Sequence, residues 1–197
     1  MTRSYNLIPT SPLQKGATFH KPRQALPEQV SADDPSPQVM TDFQIVTAYT
    51  IFPLETIEDA RAKMIHRGVH MLLVVDDMNH ILGLITASDL TGEKPMQVVQ
   101  HQGIRYSDVL VKDVMTPRER LEVLCMEDVR KACVGDILAT LKAQGRQHAL
   151  VVDRTPDRGQ RLRGLFSLSQ IGKQLGTSVE TIAVASTFAE IGAELGR

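Results

Sequence analysis

Val39-Met40-Thr41 returns 75 residues later as Val114-Met115-Thr116, and the duplication this marks decides the fold. Each copy continues in the same order. Ile57, Ala60 and Met64 in the first copy, and Val134, Ile137 and Leu141 in the second, keep the i, i+3, i+7 spacing of one buried helix face. Asp59 matches Asp136 and Gly68 matches Gly145, both at an offset of 77. The two glycines stand where a helix is expected to end in a left-handed residue. Apolar runs ending in Asp follow: Met71-Leu72-Leu73-Val74-Val75-Asp76 and Ala149-Leu150-Val151-Val152-Asp153. Such runs predict strands buried on both faces. A polar turn then leads to a second strand, Ile81–Ile85 and Leu162–Phe166, containing Gly83 and Gly164 at an offset of 81. The offset drifts in loops, where chains tolerate insertions. Each unit reads β-α-β-β-α, a mixed α/β (α+β) class. One unit cannot cover its own sheet, so two are expected to pack together.

Outside this duplication the chain is less patterned. Residues 1–38 hold six of the ten prolines and few apolar residues, which predicts an extended or disordered tail, pinned in places to the folded part. The first copy and its linker then span 39–110, the second copy 111–175, and a C-terminal tail 176–197. Phe188, Ile191 and Leu195 give that tail a short amphipathic helix.

Composition narrows the function classes. Of 197 residues, 42% are hydrophobic but only 4% aromatic, with no Trp, so the core is aliphatic. A net charge of −1 gives no overall pull toward nucleic acid or an anionic membrane. The charge is uneven, with 5 Lys and Arg against 9 Asp and Glu over 41–110, but 12 against 8 over 111–175. Opposite halves suit mutual packing and leave cations in the second half for an anionic ligand. Arg154, Arg158, Arg161 and Arg163 lack interleaved aromatics and read as a solvated turn rather than a nucleic-acid patch. Cys125 and Cys133 form no CxxC pattern and read as reduced thiols. Leu7-Ile8 is cut short by Pro9, and no apolar run approaches a membrane span. A cytoplasmic protein is expected. His66 and His70 have helical metal spacing, but Gly68 lies between them and no third ligand is evident. Neither a P-loop, a Rossmann fingerprint nor a nucleophile elbow is present, so no enzyme is expected.

The chemistry lies in Gly83-Leu84-Ile85-Thr86-Ala87-Ser88-Asp89-Leu90. A strand ends, a helix begins, and Thr86 and Asp89 share the first turn. A carboxylate accepts from two adjacent hydroxyls, as a ribose diol requires. Thr86 can donate to a sugar or phosphate oxygen, and new helix N–H groups favour phosphate. The same residues also suit a helix cap, and the two roles are compatible. The second copy reads Gly164-Leu165-Phe166-Ser167-Leu168-Ser169-Gln170-Ile171. It keeps a hydroxyl but replaces the carboxylate with neutral Gln170, so one good site and one poor or empty one are expected. Arg146 and His148, at the start of the second core strand, are the best cations for a polyphosphate.

These motifs resemble the cystathionine β-synthase (CBS) repeat: the Gly-x-x-Thr-x-x-Asp ending, Val74-Val75-Asp76, and the opener Val114-Met115-Thr116-Pro117. The resemblance covers residues 39–175 and is closest to stand-alone bacterial CBS pairs. It implies two repeats packed through their sheets with pseudo-two-fold symmetry, and a regulatory module whose cleft binds AMP, ADP, ATP or S-adenosylmethionine. It places the ribose at Thr86, Ser88 and Asp89, next to Ile85. It places the adenine near Ala48, Tyr49, Thr50 and Ile51, and makes His70 and Met71 the loose counterparts, in the first copy, of Arg146 and His148 in the second. Ser167 and Gln170 mark the second cleft. It further implies a homodimer and a separate effector protein. The alternative is a ligand-free interaction or dimerisation module.

Overall fold

Two four-stranded sheets carry the duplication. In a computed structural model of the protein, residues 10–12, 14–18, 23–156 and 159–176 are described. The helix expected at 187–195 lies outside them. In chain order the elements are β1 (Thr41–Asp42), β2 (Thr50–Ile51), α1 (Ile57–Arg67), β3 (Met71–Val75), β4 (Ile81–Thr86), α2 (Ala87–Thr91) and α3 (Lys94–Gln102). The second half adds α4 (Val111–Val114), β5 (Thr116–Pro117), β6 (Val123–Cys125), α5 (Met126–Val129), α6 (Val134–Ala143), β7 (His148–Arg154), β8 (Gln160–Ser167) and α7 (Leu168–Gln174).

One sheet runs β2-β3-β4-β5 and the other β6-β7-β8-β1. The pairings match: β2 is parallel to β3 as β6 is to β7, and β3–β4 is antiparallel like β7–β8. Both hairpins bulge at the same place, Val74/Val75 and Val151/Val152. The tandem two-repeat fold is therefore as the sequence predicts, and Gly68 (φ 66°) and Gly145 (φ 61°) hold the left-handed positions that end α1 and α6.

The edge strands are exchanged. β1, the opener of the first copy, pairs with β8 of the second; β5, the opener of the second, pairs with β4 of the first. This crossing explains Gly83 and Gly164. A Cβ at Gly83 would collide with the Thr116 carbonyl oxygen, and one at Gly164 with that of Thr41. The openers fill the cores accordingly: Val39 and Met40 pack with Phe166, Leu141 and Ile171, while Val111 and Val114 pack with Ile85, Leu72 and Ile57. Between the sheets, Met71, Leu73, Val75 and Leu84 meet Leu150 in a third apolar layer.

Residues 23–38 run over the second copy. Val30 packs on its core, Ser36 is buried and donates to Val129 O (2.8 Å), and Val134 N donates to Asp34 O (2.9 Å). The bridge Pro35–Cys133 mirrors the bridge Leu110–Thr56. Gln24 reads β1's outer edge, donating to Met40 O and accepting from Asp42 N, both at 2.8 Å.

The basic run departs from the sequence reading: Arg154 ends β7, Arg161 lies in β8, and Arg158 falls outside the described residues. Arg163 is not a solvated turn residue. It lies in β8, and its guanidinium donates to both Asp42 carboxylate oxygens (2.9 and 2.8 Å) and to Asp153 (3.4 Å). The partner Asp42 is 121 residues away in sequence and arrives only through the strand exchange. Cys125 and Cys133 are free thiols.

Candidate functional site

The strand–helix junction of the first copy forms one wall of a cleft of about 240 Å³. Leu84, Thr86, Ser88 and Asp89 line it from the first copy. Thr116, Arg120, Leu121, Glu122, Arg146, Gln147, His148 and Leu150 line it from the second. The two copies thus supply different chemistry: a carboxylate and hydroxyls on one side, and two guanidinium groups, an imidazole and the Glu122 carboxylate on the other.

Thr86 and Asp89 form a capping box because the Thr-x-x-Asp spacing returns the N3 side chain to the N-cap. Asp89 Oδ2 accepts from Thr86 N (2.9 Å) and from Thr86 Oγ1 (2.7 Å), and Asp89 N donates to Thr86 Oγ1 (3.3 Å). The Thr86 hydroxyl therefore gives its proton to Asp89. It can accept from a ligand but, in this arrangement, not donate to one, contrary to the role read from sequence. The same box recurs at Thr56 and Asp59 at the start of α1. Local sequence alone does not separate the two; only the first lines the cleft.

Lys94, unremarked by sequence reasoning, opens α3 and donates to Asp89 Oδ1 (2.5 Å) and to Val114 O (3.3 Å). Asp89 is 12% exposed in its side chain and Lys94 47%. Across the cleft, Arg146 pairs with Glu122 (3.1 Å). Burial lowers the His148 pKa below the usual histidine range, and the charge of nearby His70 lowers it further.

The other residues named from sequence lie elsewhere. Ile51 and Ile85 are core side chains at 1% and 0% exposure and present nothing to the cleft. Met71 is buried between the sheets. Tyr49 packs on the first core and carries Arg67 over its ring at 5.3 Å, and the Thr50 carbonyl accepts from Lys63. His70 lines a separate groove beside α1 and α2, with Arg61, Ile65 and Leu90. In the second copy Ser167 shares a hydrogen bond with Ser169 (2.9 Å). Gln170 donates to Gln174 (3.2 Å), whose amide donates to Pro27 O (2.7 Å). Thr116, Arg120 and Glu122 were missed because they belong to or follow the exchanged opener. The repeat itself held the clue, since a glycine kept at position 83 marks where another backbone crosses.

No helix among the described residues is long and apolar enough to cross a membrane, and no cluster of His, Cys, Asp and Glu among them suits a metal ion.

Comparison with known proteins agrees with this geometry. Residues 38–94 match the family model of the CBS domain. An uncharacterized conserved protein from Pyrococcus horikoshii superimposes with a TM-score of 0.51 at 20% identity, over 72% of this chain and 92% of that one. CBSX2 from Arabidopsis thaliana, solved in complex with AMP, gives 0.50 at 21% identity over 70% and 93%. The CBS domain pair of MJ0100, solved with 5′-methylthioadenosine and S-adenosyl-L-methionine, gives 0.50 at 14% identity over 74% and 98%. No curated protein matches the sequence. The fold and the duplicated junction define a tandem pair of β-α-β-β-α repeats. Residues 38–94 match the CBS domain model and the second copy repeats the topology of the first, so the chain has the fold of a CBS pair.

Proposed function

We propose that the chain is a ligand-sensing module that binds an adenosine nucleotide in the cleft between its repeats, performs no catalysis, and signals to a separate effector protein. One observation carries this reading. Thr86, Ser88 and Asp89 of the first copy face Arg120, Arg146 and His148 of the second across a single cleft. A nucleoside phosphate has the matching polarity, with a diol for the carboxylate and an anion for the cations. Arg120 and Arg146 offer an anion two cationic partners, which the positively charged S-adenosylmethionine does not use. The AMP complex of CBSX2 supports an adenine nucleotide here. A ligand touching both copies would shift the angle between them, and a homodimer would present that change to the effector from two faces.

Calorimetric titration with AMP, ADP, ATP and S-adenosylmethionine tests this. A phosphorylated member should bind near micromolar Kd, about 8 kcal/mol. Asp89→Ala should abolish the heat at these concentrations. That variant also loses a cap worth about 1 kcal/mol, so thermal melting must show that it is folded. Unchanged affinity in folded Asp89→Ala would remove Asp89 from the site. A second reading, a ligand-free interaction module, draws on the hydrogen bonds that Asp89 already makes within the chain. It requires that no nucleotide raise the melting temperature.

A further inference from the structure

We infer that Lys94 is a specificity-determining residue of the cleft: it occupies the Asp89 lone pair that the second hydroxyl of a ribose needs, and so sets how strongly the site distinguishes ribose from deoxyribose. The inference rests on the reading of the cleft as an adenosine-nucleotide site and adds to it a residue and a selectivity.

A carboxylate has about four acceptor positions, two on each oxygen. Both on Asp89 Oδ2 are filled by Thr86, through its N–H at 2.9 Å and its hydroxyl at 2.7 Å. These bonds also start α2, so they are not free to leave without losing the cap. Oδ1 takes the Lys94 ammonium at 2.5 Å, a charge-assisted bond. One position remains. A vicinal diol has two hydroxyls to place, so a ribose either leaves one unserved or displaces Lys94.

Displacement carries a second consequence. Lys94 Nζ also donates to Val114 O at 3.3 Å. Val114 precedes β5, the strand that the second copy lends to the first sheet, and Lys94 is the first residue of α3 in the segment joining the copies. The ammonium therefore ties three parts together: the sugar seat, the connecting helix and the exchanged opener. A ligand that takes both Oδ1 positions releases the helix from the opener. One that takes a single position leaves the tie in place. With 47% of its side chain exposed, Lys94 has open solvent to move into.

The test is a cycle between one residue and one ligand hydroxyl. Kd values for AMP and for 2′-deoxy-AMP are measured by calorimetry on the full chain and on Lys94→Met, which keeps the stem and removes the ammonium. Any contact of Lys94 with phosphate cancels in the ratio. The native chain should prefer AMP by no more than about threefold, because the second hydroxyl's bond is offset by the loss of the Lys94 bond. In Lys94→Met the preference should widen to about tenfold or more, the worth of one hydrogen bond to a carboxylate. The widening should come from tighter AMP binding, with 2′-deoxy-AMP shifting equally little in Lys94→Gln. Equal ratios in the native chain and Lys94→Met, with both ligands binding measurably, would overturn this inference and leave the cleft's reading intact. If neither form binds either ligand, the cleft's reading and the inference fall together.

Discussion

The two copies share a topology down to the position of one bulge, yet they treat their strand–helix junctions differently. In the first, Asp89 stands at the mouth of a cleft whose far wall carries Arg120, Arg146 and His148. In the second, the matching Gln170 turns to Gln174, which holds the N-terminal segment through Pro27 O, while Val30 N donates to Gln174 O (3.0 Å). The first junction keeps a carboxylate, held by Thr86 and Lys94, at the edge of a cleft; the second is tied up by neutral hydrogen bonds within its own chain. Duplication fixed the scaffold, and divergence at a few polar positions separated a candidate ligand seat from a structural anchor.

The strongest test of this comparison concerns what the copies still share. Phe166 and Ile85 occupy matching positions in their strands and are both 0% exposed. Phe166→Ala should cost about 4 kcal/mol and Ile85→Ala about 3, since each empties the centre of its own core. Urea unfolding measures both. Because each core contains the other copy's opener, both variants should unfold in one transition. Separate transitions would show that the exchanged strands do not couple the halves.

Next is a difference inside the sheets. Where the second copy sets Arg163 against Asp42, the first has Leu82 and Pro117 at the matching positions. An ion pair in one sheet thus stands where the other has two uncharged residues. Arg163→Leu alone should cost about 3 kcal/mol by leaving Asp42 unpaired at 7% exposure. Adding Asp42→Asn should recover part of that loss, which a double-mutant cycle would read. The same pair sets an acid limit. The hydrogen bond from Arg163 holds the Asp42 pKa below the usual carboxylate range. Its folded pKa is therefore below its unfolded one. The stability it gives is present above the ordinary Asp value and lost as pH falls through the folded value. Arg163→Leu should flatten that acid-side loss.

Much of this was legible in sequence, for identifiable reasons. Period, caps and paired glycines are local signals, so α1, α6, the core strands and the Thr86–Asp89 turn could be read directly, while α3, α4 and α5 were not. The strand exchange was not, because Val39-Met40 is equally apolar for either core and nothing local says which sheet an edge strand joins. Several misses follow from that. Arg163 read as loop because its partner lies across the exchange. Thr116 and Arg120 were overlooked because they reach the first copy's cleft only through it. Lys94 lies five residues beyond Asp89, but an exposed lysine after a helix carries no mark of its partner.

A third prediction sharpens the asymmetry. With a nucleotide that binds, calorimetry should give one equivalent per chain. Asp89→Asn should weaken binding by about thirtyfold, as one charge-assisted bond is lost. Gln170→Ala should change it by less than about twofold. Equal losses in both variants would mean that the second junction also holds ligand.

The smallest effect concerns His148, which takes the place of Met71 in the other copy and faces Arg146 and Glu122 within the cleft, with His70 near it. Burial and His70 lower its pKa, so the folded chain binds fewer protons here than the unfolded one. The stability linked to His148 is thus full above about pH 6.5, the ordinary histidine value. It is lost as pH falls from there toward the folded value. A phosphate placed beside the ring acts in the opposite direction, because an anion favours imidazolium. Binding AMP at pH 7 should therefore draw in a fraction of a proton, read from the dependence of binding heat on buffer ionisation enthalpy. Adenosine, lacking the anion, should draw in none, and His148→Gln should remove most of the uptake seen with AMP. Equal uptake for AMP and adenosine would place the phosphate away from His148, and with it the side of the cleft on which the two copies most differ.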